Sequence, residues 1–74
     1  MTKKAKADYV IQSVSRALDL LEAFTHKEGE LGVTELARKL KLHKNNVFRL
    51  LATLETRGYV EQDKATERYR LAAK

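Results

Sequence analysis

Arginine and asparagine side chains recur at helical spacing in one part of the chain. Asn45, Arg49, Ala52 and Thr56 share one face of a helix, spread over about 60° if each residue advances by 100°. An arginine guanidinium can donate two hydrogen bonds to O6 and N7 of guanine, an asparagine carboxamide can pair with N6 and N7 of adenine, and a small residue such as Ala52 permits close approach. These residue types at this spacing favour contact with base edges in the major groove of duplex DNA.

The positive charge of the chain is concentrated around the same residues. The formal net charge is +5, and residues 31–58 contain six basic and two acidic residues, whereas residues 1–30 contain five of each. No acidic residue lies between Glu35 and Glu55. This segregation predicts a face of positive potential, which suits a polyanionic partner.

Apolar periodicity predicts the helix that presents this face. Aliphatic residues repeat on one stripe, formed by Val47, Leu50, Leu51 and Leu54. The pattern predicts a third helix from Lys44 to Arg57, followed by Gly58 as the residue that ends it.

Two further helices are predicted upstream. The first runs from Val14 to Phe24, with Ser13 as its N-cap and a core stripe formed by Val14, Ala17, Leu18, Leu21 and Phe24. Residues 31–33 are apolar enough for a very short strand, and Thr34 is then placed to cap a second helix, Glu35 to Leu40, which buries Leu36, Ala37 and Leu40.

The spacing between the second and third helices matches a helix-turn-helix unit. Ala37 provides a small contact where the helices approach, Lys41 falls at the turn and Leu42 fills the crossing point. A lysine at that turn must adopt a positive φ, at a cost of roughly 1 kcal/mol compared with glycine.

A β-hairpin is predicted after the third helix, with strands at residues 59–62 and 68–71 joined by a polar turn. The predicted fold is therefore mainly α with a small β-hairpin, a winged helix-turn-helix of three helices and a two- or three-stranded wing. Residues 1–10 are predicted to be a flexible basic arm, residues 11–71 the DNA-binding domain, and residues 72–74 the start of a truncated linker.

Several other residues are candidate DNA contacts. Lys44 stands beside the amides at the start of the third helix and suits a phosphate oxygen, and Asn46 flanks the outward face. Lys64 and Arg68 bracket the hairpin tip, where they could reach the backbone or the minor groove, or simply belong to a solvated turn. Arg16 is exposed on the first helix and could contact a phosphate or pair with Asp19.

Structural roles compete with the functional ones on and beside the third helix. Asn45 and Asn46 could be capping residues, and Arg49 an ordinary surface charge, although no acid lies within four residues of it. Phe48 is expected to be half-exposed and to pack at the edge of the core, and His43 to be a cap or a solvated residue.

Other function classes find little support. With no cysteine and two histidines, a thiolate zinc site is excluded, and neither a metal nor a cofactor is expected. No phosphate-binding loop, HExxH motif or nucleophile elbow points to an enzyme. Apolar runs are far shorter than a membrane span, so we expect a soluble cytoplasmic protein. A winged-helix protein-interaction module is the alternative, but such a module should expose an apolar patch on its third helix.

With these residues placed, the chain resembles the N-terminal DNA-binding domain of the IclR family of bacterial transcription regulators. The resemblance rests on IQSVSRALDLLEAF at residues 11–24, LGVTELARKLKLHKNNVFRLLATLETRGYVEQ at residues 31–62 and YRL at residues 69–71. Family members usually have glycine in place of Lys41, and often serine or threonine in place of Asn45 and Asn46, which affects the expected operator sequence and not the binding mode.

The resemblance implies a partner and a larger context. It implies that the protein binds a double-stranded DNA operator at the bacterial nucleoid, and that this operator is palindromic if two copies bind together. It also implies that the protein is a repressor or activator of metabolic genes. Such regulators are homo-oligomers in which a separate C-terminal domain binds a small-molecule effector; the isolated module is expected to be a monomer. The likeness gives five candidate DNA contacts: Arg16, Thr34, Asn45, Asn46 and Arg49.

Overall fold

Three helices are followed by a two-stranded hairpin in the part of the chain that the computed structural model describes, residues 6–24 and 29–72. A 3-10 turn (Lys6–Tyr9) precedes α1 (Gln12–Ala23), α2 (Val33–Leu40) and α3 (Lys44–Thr56), and β1 (Val60–Gln62) pairs with β2 (Tyr69–Leu71). The predicted winged helix-turn-helix is confirmed. Five residues of the predicted arm and two of the predicted linker lie outside the described residues.

One apolar core joins all of these elements except the N-terminal turn. Leu20, Leu36 and Leu51, one from each helix, are fully buried. The remaining core side chains are Ala23, Phe24, Leu31, Ala37, Val47, Leu54, Val60 and Tyr69. No polar or charged residue among the described ones is buried. Because the core is purely aliphatic and aromatic, burial of apolar surface is the main source of its stability.

Helix α1 is rotated relative to the predicted stripe. Leu20, Ala23 and Phe24 are buried, whereas Val14 and Leu18 are 54% and 53% exposed. The prediction was wrong at Val14 and Leu18 because α1 has two apolar faces, and periodicity alone does not say which one meets the other helices. The predicted Ser13 cap is also wrong, since Ile11 is the N-cap and forms no side-chain capping bond.

Helix α2 begins two residues earlier than predicted. Its N-cap is Gly32, not Thr34, and Thr34 lies within the first turn. The Glu35 carboxylate explains the earlier start, because it accepts a hydrogen bond from the Gly32 N–H at 2.9 Å. A terminal amide that would otherwise lack a partner is thereby satisfied.

The turn between α2 and α3 has the expected left-handed residue. Lys41 has φ 57° and ψ 46°, and its N–H and that of Leu42 both donate to the Ala37 carbonyl. Helix α3 starts at Lys44 as predicted and ends at Thr56, after which Gly58 adopts φ 83°. The helix-turn-helix spacing is therefore realised around Ala37, with Leu42 packed against the core.

The hairpin is antiparallel, with Val60 opposite Leu71, Glu61 opposite Arg70 and Gln62 opposite Tyr69. The short strand predicted at residues 31–33 is reduced to one bridge, in which Leu31 and Tyr69 exchange backbone hydrogen bonds of 2.9 and 2.8 Å. The wing thus has two strands, and this bridge ties it to the segment that enters α2.

Candidate nucleic-acid interface

Helix α3 has one buried and one exposed face. Val47 and Leu51 are fully buried, while Asn45, Arg49 and Thr56 are exposed. This division follows from the helical period, because residues three or four positions apart return to the same side of the helix. The predicted outward face is therefore formed as the spacing requires.

The two asparagines on α3 are not capping residues. The N-cap is His43, whose exposed side chain makes no capping hydrogen bond, and the first helical bond runs from the Val47 N–H to the His43 carbonyl at 3.0 Å. Among the described residues, neither Asn45 nor Asn46 has a side-chain hydrogen bond. Their carboxamides retain full donor and acceptor capacity for another molecule.

Arg49 is likewise unpaired within the described ranges 6–24 and 29–72. Its side chain is exposed, and its backbone carbonyl accepts a hydrogen bond from the Thr53 hydroxyl at 2.9 Å. The Thr56 hydroxyl similarly donates to the Ala52 carbonyl at 2.9 Å. The donors that remain directed outward on this face are therefore mainly the arginine and the asparagines.

A groove of about 600 Å³ between α1 and α3 brings predicted residues together. Arg16 of α1 lines it with Asn46 and Arg49 of α3, over a floor that includes Ala17 and Leu50. Arg16 forms no ion pair with Asp19, the alternative considered for it. Two guanidinium groups on one groove make this edge of α3 a cationic surface.

The N-terminus of α2 and the wing meet on the other side of α3. A depression of about 430 Å³ is lined by Thr34, Phe48 and Arg68, among others. Phe48 is 56% exposed and is not among the side chains packed against the core. The expected half-exposure of Phe48 is therefore confirmed, whereas its packing at the core edge stays a prediction.

Arg68 is held against the body of the domain instead of extending from the wing. Its guanidinium pairs with Glu35 at 3.0 Å and donates to the Glu30 carbonyl at 2.9 Å. Lys64, at the hairpin tip, is exposed. Of the two cations that bracket the tip in the sequence, only Lys64 extends freely into solvent.

Hydrogen bonds accepted by Asp63 shape the wing tip. Its carboxylate accepts the Ala65 N–H at 2.8 Å, and its carbonyl accepts the Glu67 N–H at 2.6 Å. Glu67 has φ 63°, a left-handed conformation at a non-glycine residue. The tip is consequently compact, so Lys64 is presented on a defined turn.

Arg70 neutralises acidic groups at the base of the wing, a role that sequence reasoning missed. Its guanidinium donates to Glu61 at 3.1 Å and to Glu30 at 3.2 Å. The hydrogen bond to Glu61 is the largest influence that raises the pKa of Arg70. The cross-strand pair of Arg70 with Glu61 could have been found from the hairpin register.

The described residues hold neither a candidate metal cluster nor a candidate membrane span. In residues 6–24 and 29–72, no cluster of histidine, cysteine, aspartate or glutamate could hold a metal ion. No helix in those ranges is both long and apolar enough to cross a bilayer.

The fold and this face define the class of the molecule as a winged helix-turn-helix domain. Residues 13–64 match the IclR helix-turn-helix domain. Among relatives, the regulator XynR of Escherichia coli is 38% identical over 88% of this chain and 26% of its own length. The glycerol operon regulatory protein of Streptomyces coelicolor is 41% identical over 85% and 25%, respectively.

Solved structures give the same result. An IclR transcriptional regulator from Alicyclobacillus acidocaldarius superposes with a TM-score of 0.84 at 33% identity, over 88% of this chain and 26% of that one. An IclR family regulator from Brucella abortus gives 0.81 at 38% identity, over 85% and 24%. The chain belongs to the IclR family and is a DNA-binding module of its transcriptional regulators. It spans about a quarter of the length of these relatives.

Proposed function

We propose that the module recognises a specific duplex sequence by inserting α3 into the major groove. Arg49 donates two hydrogen bonds to a guanine, and Asn45 pairs with an adenine. Ala52, half-buried on the same face, leaves room for the helix to approach the bases. The bidentate geometry of both side chains discriminates among base pairs by about 1–3 kcal/mol each.

The observation that best supports this proposal is the contrast between the two faces of α3. Val47 and Leu51 are fully buried, whereas Asn45 and Arg49 are exposed and lack side-chain partners in the described part of the chain. An exposed, unpaired donor set on a helix that a helix-turn-helix projects outward suits base contacts.

Phosphate contacts orient α3 in the major groove of the DNA. Lys44 and Asn46 lie in the first turn of α3, and Thr34 lies in the first turn of α2. Arg16 lines the protein's own groove between α1 and α3. The amides in the first turn of each helix suit phosphate oxygens. These contacts fix the register of the protein but do not select sequence.

The wing contacts the flanking backbone or minor groove through Lys64. Arg68 acts on the DNA indirectly, because its pairing with Glu35 and Glu30 holds the wing against the N-terminus of α2. Arg68 therefore acts mainly by positioning the wing, and its predicted direct contact with DNA is secondary.

At the level of the full-length protein, we propose a homo-oligomer that reads a palindromic operator in the cytoplasm, with one module on each half-site. A small-molecule effector would act through a domain outside this chain. Residues 11–71 form the DNA-binding unit, with a basic arm before it and a linker after it. The domain alone is proposed to be monomeric, so it should bind one half-site per protomer.

Selection of duplexes from a random pool, followed by titration of the selected duplex, tests the proposal. Amide chemical shifts of residues 44–56 should change on binding, while those of Leu18 and Glu22, exposed residues of α1 that do not line the groove with Arg16, should not. A scrambled duplex of equal length is the control. Failure to enrich any sequence, or shifts confined to residues away from α3, would contradict DNA readout and favour a protein-interaction module.

A further inference from the structure

Phe48 is an isolated exposed aromatic side chain on α3. It is 56% exposed, whereas the aliphatic residues Val47 and Leu51 beside it are fully buried. A phenylalanine in this state leaves apolar surface in water in the free protein. Burial of that surface against a partner would be favourable.

The position of Phe48 places it beside the base-reading residues. It follows Asn45 by three positions and precedes Ala52 by four, and residues at these spacings are neighbours on a helix surface. On its other side, the ring borders the depression shared with Thr34 and the wing residue Thr66. Phe48 therefore occupies the flank of the outward face, between the helix-turn-helix and the wing.

The major groove offers one apolar group to such a ring, the 5-methyl of thymine. The other groups at the major-groove edges that distinguish the bases are hydrogen-bond donors and acceptors, with which a phenyl ring cannot pair. We propose that Phe48 is a specificity-determining residue that packs against a thymine methyl next to the bases read by Asn45 and Arg49. This inference rests on the proposed insertion of α3 into the major groove.

Replacement of thymine by deoxyuridine tests the contact without changing base pairing. Each thymine of the selected half-site is replaced singly, and the Kd is measured by fluorescence anisotropy for the wild-type chain, Phe48→Ala and Phe48→Leu. Leu18→Ala is the matched control, because Leu18 is a comparably exposed apolar side chain on α1. Circular dichroism checks that each variant is folded.

Loss of the methyl at one or two positions should weaken wild-type binding by about four-fold, the value for one buried methyl-sized group. The same replacement should have no effect in Phe48→Ala and a reduced effect in Phe48→Leu. In Leu18→Ala the full methyl dependence should remain. This pattern would assign the thymine methyl to Phe48.

Two results would overturn the assignment while leaving DNA binding intact. One is equal sensitivity of the wild type and Phe48→Ala to deoxyuridine at every position. The other is a selected half-site that contains no thymine. If no duplex is enriched or bound at all, the proposed insertion of α3 fails first, and the role of Phe48 fails with it.

Discussion

Replacement of Arg49 by alanine should weaken operator binding without affecting the fold. The side chain is exposed, and the described residues provide it with no hydrogen bond or ion pair, so its removal breaks no interaction in the free domain. A lost bidentate contact to guanine costs about 1–3 kcal/mol. This corresponds to a Kd about 5- to 150-fold weaker at 25 °C, with an unfolding free energy unchanged within about 0.5 kcal/mol.

Two companion variants separate base recognition from charge. Arg49→Lys retains the positive charge but not the planar two-pronged donor, so it should lose base preference while retaining nonspecific affinity. Lys44→Ala should weaken binding to all duplexes alike, because a phosphate contact conveys no sequence information. Anisotropy titrations with the selected duplex and with duplexes changed at single base pairs provide both measurements. If Arg49→Ala retained wild-type affinity and preference, Arg49 would have no part in recognition.

Four other measurements test the same structure. Affinity should fall by about 40-fold between 50 and 200 mM salt if three phosphates are neutralised; a flat response in titrations at these salt concentrations would contradict the electrostatic contribution. Lys41→Gly should raise stability by about 1 kcal/mol, or about 4–8 °C in Tm, by relieving the left-handed lysine; an unchanged melting curve would show that the turn is not strained. In urea unfolding, Leu20→Ala should cost about 2–5 kcal/mol and Leu18→Ala about 1 kcal/mol or less, whereas equal losses would contradict the rotation of α1. The pKa of Tyr69 is raised, first by burial and then by neighbouring carboxylates. The contribution of this shift to stability is therefore present below the ordinary tyrosine pKa of about 10 and is lost as pH rises through the folded value. Tyr69→Phe should reduce this alkaline loss of stability in unfolding curves measured between pH 9 and 11.

Local sequence patterns predicted the turn and α3 of the helix-turn-helix unit, because interactions between residues close along the chain determine this part of the fold. Helix α3 begins at the predicted Lys44, since the i, i+3, i+4 repeat of aliphatic residues is unambiguous there. The left-handed Lys41 also followed from counting along the helix-turn-helix unit. In α1, by contrast, Val14 and Leu18 lie on one apolar face and Leu20 lies on another. The packing of α2 and α3 determines which of these two faces is buried.

The features that the sequence did not disclose depend on contacts between residues that are distant along the chain. Arg68 pairs with Glu35 across 33 positions, and Arg70 contacts Glu30 across 40. Hairpin patterning locates both arginines on one strand but says nothing of what they face. The half-exposure of Phe48 followed from its angle on α3, but the wing residues that border the same depression could not be found from that angle.

The pairing of Glu35 with Arg68 is better explained by geometry than by stability. Both side chains remain about 40% exposed, and ion pairs at such sites contribute about 0–1 kcal/mol. The Arg68 Nε is buried without a partner among the described residues, which offsets part of that gain. Yet Glu35 also accepts the Gly32 N–H that begins α2. One carboxylate thus contacts both the start of α2 and the wing, so it joins the two surfaces that flank α3.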